Sequence, residues 1–251
     1  AANDHVGHGA TAIANDTWGD WGDGGPHTMM EDEKRFHDLV CEKYPDLPYF
    51  LFGHSMGSMI ARDYSAQYGE DLDGAIYCGT TGIFKNTHEV RAKLDALLAD
   101  GGAHDADPSL TGELMGWMFA RCEEGATLGN EWICHDPYVQ KDHAEDPFDA
   151  FTHPVHNVSL RDFIDMMLCI EGPEWAQRVP NDLPILLIAG DQDPVGNYGE
   201  GVYQCANWLA DTGHDDVITK LYPGYRHEIH NYDDIKFDVE DTVVTWLDLH
   251  R

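Results

Sequence analysis

The chain has 251 residues, 42% of them hydrophobic and 11% aromatic, enough apolar material for one large folded core and too much for a disordered segment. Its 46 acidic residues against 15 basic ones give a formal charge of −31, which argues against nucleic acid and anionic membrane surfaces as partners, because no basic patch is present to neutralise phosphate. No run of 18 or more apolar residues spans a membrane, and no signal-peptide pattern opens the chain.

Read in order, Asp16 to Asp23 is acidic and glycine-rich but lacks the residue order and distal glutamate of a calcium loop, so it reads as a solvated loop. Phe36, Leu39 and Val40 mark an amphipathic helix ending near Tyr44-Pro45. Tyr49 to Phe52 is an apolar strand, and Gly53-His54-Ser55-Met56-Gly57 follows it directly. Met56, Met59, Ile60 and Tyr64 then recur at helical spacing. Strand, G-x-S-x-G and helix together are the layout of a nucleophile elbow: a tight turn with small residues at Gly53 and Gly57 lifts the Ser55 hydroxyl clear of the sheet at a helix N-terminus. The helix dipole and free N–H groups there favour a developing negative charge, and the Met56 N–H is the expected oxyanion donor.

Leu72 to Cys78 reads as the next strand. Residues 83–182 are too long for a simple crossover and carry apolar stretches around Leu110 to Phe119 and Phe163 to Leu168, which reads as a helical cap over a core formed by 1–82 and 183–251. Trp117 and Met118 in that cap, and Val195 beside the following loop, are the expected substrate contacts, against the plainer reading that such residues simply pack.

Ile185 to Ala189 is a continuous apolar run ended by Gly190, the pattern of a buried parallel strand. Asp191 and Asp193 stand just past its C-terminal end, where open α/β sheets place their ligands, and Asp193 is the expected acid. Val202, Cys205, Ala206 and Leu209 mark a helix, and Ile218 to Tyr222 the next strand. His227 follows on a loop at the same sheet edge and is the expected general base. His214 lies before that strand, at the wrong end, and His230 beyond the first turn of the loop, where a surface or packing role fits. Ile235, Val239, Val243, Trp246 and Leu247 mark a terminal helix. Strands alternating with helices, and a serine, acid, histidine order, describe a mostly parallel α/β fold carrying a Ser55–His227–Asp193 triad.

At these residues the chain resembles the monoacylglycerol lipase, lysophospholipase and serine aminopeptidase branch of the α/β-hydrolases. The matching text is Leu47 to Ser58, Leu183 to Gly196 and Tyr222 to Glu228, with Asn3 to Gly9 similar to the family's D-H-x-G-H-G turn. The resemblance implies an α/β-hydrolase fold and a serine esterase acting on a small lipid-like or acyl ester, with peptidase, thioesterase and acyltransferase chemistry as near alternatives. It also implies three strands ahead of the Asn3–Gly9 turn, the third bordering Tyr49–Phe52 and leading into a loop that supplies a second oxyanion donor. Without them the Tyr49–Phe52 strand becomes an edge, and loss of one oxyanion donor costs on the order of 10²–10³ in kcat. Three readings follow: the chain is a fragment, a second copy completes the sheet in a homo-oligomer, or the N-terminal residues fold back in substitution. A catalytically silent binding or assembly protein is the alternative of a different class.

No nucleotide-binding glycine loop and no H-E-x-x-H is present, so no cofactor and no metal is implied. The six cysteines, none in C-x-x-C, read as free thiols of a cytoplasmic protein. The acidic excess fits a salt-rich milieu in which counterions screen self-repulsion. The melting temperature is then expected to climb from low to molar salt, and a flat profile would remove that reading.

Overall fold

The computed structural model describes residues 1–119, 121–122, 128–149 and 153–251. Strands β1 (Phe50–His54), β2 (Gly74–Cys78), β3 (Ile185–Gly190) and β4 (Val217–Tyr222) form one sheet in that order. Every pairing is parallel, with Phe52 opposite Ile76, Ile76 opposite Leu186 and Leu186 opposite Ile218. β2 and β3 are buried along their whole length, which is why they read as unbroken apolar runs. The two-residue period of a strand sends alternate side chains to opposite layers. Ala75, Tyr77, Ile185 and Leu187 join the large core, while Ile76, Cys78, Leu186 and Ile188 meet Val239 and Trp246 on the other face.

The helices are α1 (Gly9–Asn15), α2 (Thr28–Lys43), α3 (Met56–Tyr68), α4 (Thr87–Ala99), α5 (Pro108–Phe119), α6 (Pro137–Glu145), α7 (Asn157–Cys169), α8 (Gly172–Ala176), α9 (Glu200–Asp211) and α10 (Lys236–His250). α3 lies on β1 and β2 beneath α2 and α7, so Ser58 to Ser65 are all buried and the helix is covered on every side. α2 differs from its sequence reading. Met29, Met30 and His37 face inward, and Leu39 is 64% exposed. The His37 ring takes the inward position by packing edge-on against Tyr49 with centroids 4.5 Å apart.

β1 stands at one edge of the sheet, and Phe52 on it is 48% exposed. Ala1, Ala2, Asn3 and His5 line a groove beside β1, and β2 is its strand partner among the described residues. The described part of 83–182 holds α4 to α8 and no strand. α4 packs on α5 and α7, α7 on α3 and α8 on α9, so the apolar core runs without a break from the sheet into this segment. Among the described residues no helix is long and apolar enough to cross a membrane.

Arg62 on α3 ties these layers together. Its guanidinium, fully buried, donates to the Thr81 carbonyl at 2.6 Å, to Thr80 Oγ1 at 3.3 Å and to the Ile170 carbonyl, and lies over the Trp175 ring at 4.4 Å. Trp175 Nε1 donates back to the Arg62 carbonyl at 2.9 Å. Removing the side chain orphans buried carbonyls and opens a cavity. Arg62→Ala is therefore expected to lower unfolding free energy by about 3 kcal/mol in urea titration, and Arg62→Lys to recover only part, because an ammonium cannot span the same fork of acceptors. An alanine variant as stable as wild type would refute this.

Candidate active site

Ser55 occupies the single step between β1 and α3, at φ 56° and ψ −123°. A non-glycine residue there carries strain of about 1–3 kcal/mol and persists only where its surroundings over-determine it. The Ser55 N–H donates to the Cys78 carbonyl at 3.0 Å, and the Ser55 carbonyl accepts from the Ser58 N–H at 2.9 Å and the Ser58 hydroxyl at 2.6 Å. Glycine is required at Gly53, where a Cβ would fall 2.1 Å from the Gly57 carbonyl oxygen. At Gly57 an added Cβ would meet nothing within 4 Å, so its part in the turn is the backbone that Gly53 approaches. Met56 opens α3, and its N–H has no acceptor within the helix.

The loops after β3 and β4 bring Asp193 and His227 together. His227 Nδ1 donates to Asp193 Oδ2 at 2.9 Å, and the side chains are 2% and 0% exposed. The Val195 N–H donates to Asp193 Oδ1 at 2.8 Å, fixing the carboxylate from its other side. A carboxylate only accepts, so Nδ1 carries the proton of this bond, and in the neutral ring Nε2 is then the nitrogen with the free lone pair. Nε2 is buried and has no hydrogen-bond partner among the described residues. Asp191 instead accepts from the Gly224 N–H at 2.7 Å and joins the two loops.

His54, next to the serine, donates from Nε2 to the His227 carbonyl at 3.2 Å, which sets the elbow and the histidine loop side by side. Its ring lies 4.6 Å from that of His227 and 4.7 Å from that of His230. His230 thus packs behind the pair, whereas His214 is held between the Leu209 and Val179 carbonyls. Burial, reinforced by repulsion from His227 and His230, holds the His54 pKa well below its usual value of 6.5. Below about pH 6.5 the unfolded chain takes up a proton at this residue that the folded protein refuses, so the linkage costs stability as pH falls. The wild-type melting temperature should fall more steeply between pH 7 and pH 5 than that of His54→Gln. Parallel profiles would contradict the neutral, enclosed imidazole.

Three further residues shape the site around the pair. Gly79, at φ 60° after β2, leaves room for the pair, since a Cβ there would sit 2.9 Å from His227 Cε1 and 3.4 Å from Asp193 Oδ2. Gly190 lets β3 approach the histidine loop, because its Cβ would fall 2.0 Å from the Tyr225 carbonyl oxygen. Trp132 covers His227 with ring centroids 5.1 Å apart and is backed by Phe119 at 5.0 Å. The serine side opens into a groove of about 450 Å³ bordered by Asn3, Phe52, His54, Ser55, Met56 and Gly57. Trp117, Met118 and Val195 are not among the residues lining it. Met118 and Val195 are buried in the core, and Trp117, half-buried on α5, donates from Nε1 to the Leu114 carbonyl at 2.9 Å beneath the Lys85 ammonium.

Residues 1–234 match the hydrolase family model described as serine aminopeptidase, S33. The structure is similar to that of a highly thermostable carboxyl esterase from Bacillus coagulans in complex with glycerol, with TM-score 0.94 and 53% identity over 98% of this chain and 79% of that one. It is also similar to a lipase in its open form, with TM-score 0.88 and 34% identity over 98% of this chain and 79% of the lipase. A monoacylglycerol lipase from Mycolicibacterium smegmatis is 25% identical over 99% of this chain and 78% of its own length. By the family match and by these likenesses, carried on a parallel sheet with helices on both faces, the chain belongs to the serine aminopeptidase, S33 family of α/β-hydrolases.

Proposed function

We propose that the protein is a serine hydrolase of carboxylic esters, of the monoacylglycerol lipase or lysophospholipase type. The observation that carries this reading is the buried His227–Asp193 pair at 2.9 Å, with an unpartnered Nε2, on a loop that meets through His54 the turn where Ser55 is strained. Ser55 attacks the ester carbonyl while His227 Nε2 takes its proton. The Met56 N–H, aided by the α3 dipole, stabilises the oxyanion. His227 returns the proton to the leaving alcohol, and water then cleaves the acyl-enzyme by the same route. Asp193 holds the tautomer and stabilises the imidazolium. The esterase and lipase names of the similar proteins support an ester as substrate.

Residues 83–182 serve as a helical cap, a reading supported by Trp132, which reaches over His227 with Phe119 packed behind it. The six unpaired thiols fit a reducing, cytoplasmic setting. The open edge of β1 favours pairing with a second copy, and a mass that stays monomeric at every concentration in light scattering would remove that element.

The test is p-nitrophenyl esters of rising acyl length, followed for burst release, together with fluorophosphonate labelling mapped by mass spectrometry. A burst with label on Ser55 is expected. A folded protein with neither turnover nor label would overturn the esterase reading and favour a silent hydrolase-fold binding protein.

A further inference from the structure

Far along the chain from the serine elbow, three segments bring imidazole and carboxylate groups to one point. Asp20 comes from the loop after α1, His104 from the loop after α4, and His156 caps the N-terminus of α7. Asp20 Oδ2 lies 3.1 Å from His104 Nδ1 and 3.5 Å from His156 Nδ1, and all three atoms fall within 4.8 Å of one another. Two nitrogens thus face a single carboxylate oxygen. His156 Nδ1 is buried and makes no hydrogen bond among the described residues. Four ligands at 2.0–2.1 Å around a tetrahedral zinc ion stand about 3.3 Å apart, close to both of these separations.

We propose that Asp20, His104 and His156 form a zinc site that clips the N-terminal loop to the helical segment, with solvent in the fourth position. Two imidazoles and one carboxylate suit a borderline cation rather than calcium or magnesium, which need six or more oxygens. The ligands are pre-positioned. Asp20 Oδ1 accepts from the Gly22 N–H at 2.9 Å, which leaves Oδ2 turned to the histidines. The His156 N–H donates to the Gly19 carbonyl at 2.9 Å, and Asn157 and Val158 donate to the Asp105 and Ala103 carbonyls at 2.8 and 3.0 Å. The backbones of all three segments are therefore stitched together before any ion arrives, and little ordering remains for binding to impose. On its far side, His104 Nε2 lies 3.8 Å from Asp23 Oδ1, so the ring has a carboxylate on both sides.

Isothermal titration of the untagged protein with zinc chloride in a non-chelating buffer tests the site. One zinc per chain is expected, with the melting temperature raised by about 5–10 °C at saturation and returned by EDTA. His104→Gln at a 56% exposed position, and Asp20→Asn, should each weaken binding at least tenfold while melting like metal-free wild type. His54, Cys78 and His230 form a second group of suitable spacing, so Cys78→Ser is the control and should bind zinc as wild type does. No stoichiometric zinc in wild type, binding unchanged in both ligand variants, or binding lost with Cys78→Ser would each overturn the proposal.

Discussion

Ser55→Ala is expected to lower kcat for p-nitrophenyl ester hydrolysis by about 10⁶-fold, the scale on which removal of a triad nucleophile acts. The hydroxyl of Ser58, three residues on, cannot substitute. The Ser58 hydroxyl is committed to the Ser55 carbonyl at 2.6 Å and points back into the turn. The variant must stay folded, because alanine and serine meet the same steric penalty at φ 56°. Ser55→Gly separates the two contributions: it loses the same activity but relieves the strain, and should raise stability by about 1 kcal/mol. Turnover in Ser55→Ala within tenfold of wild type, after repurification, would show that another group is the nucleophile.

Asp193→Asn is expected to lower kcat by about 10⁴-fold with little change in stability. The carboxylate accepts from His227 at one oxygen and from the Val195 N–H at the other, 2.9 and 2.8 Å away. An asparagine can keep its carbonyl oxygen toward the Val195 N–H, so the loop is preserved. Its amide then donates toward Nδ1 and moves the ring proton to Nε2, where the Ser55 proton would have to go. Asp191→Asn distinguishes this from general damage to the loop. That carboxylate ties Gly224 and has no contact with His227, so its loss should cost far less. Equal defects in the two variants would mean that the loop, and not the tautomer, is what matters.

The motif-bearing residues were legible because each is tied to a local pattern. Gly53 to Gly57 follows a strand, Asp193 follows an apolar run, and His227 follows the next one. Such spacing places side chains at the C-terminal ends of parallel strands whatever fills the rest of the chain. That placement fits Asp191 and Asp193 alike, and it is the folded loops that bring Asp193 to 2.9 Å from His227. Leu39 misled because an isolated helix shows which residues are apolar but not which face its neighbours will cover. Here α3 and Tyr49 take His37 instead.

Trp132, Gly79 and Arg62 were not legible, for one shared reason. Trp132 meets His227 across 95 positions of chain, Gly79 meets it across 148, and Arg62 meets Ile170 across 108. Asp20, His104 and His156 likewise share no spacing that a motif could record. The sequence by itself determined the order of strands and helices, the turn that exposes Ser55, and the residue types able to act as acid and base, since all of these follow from periodicity and short-range sterics. Only the tertiary structure decided which carboxylate meets which imidazole, where His227 keeps a free nitrogen, and which distant side chains converge, because those depend on how layers close on one another in three dimensions.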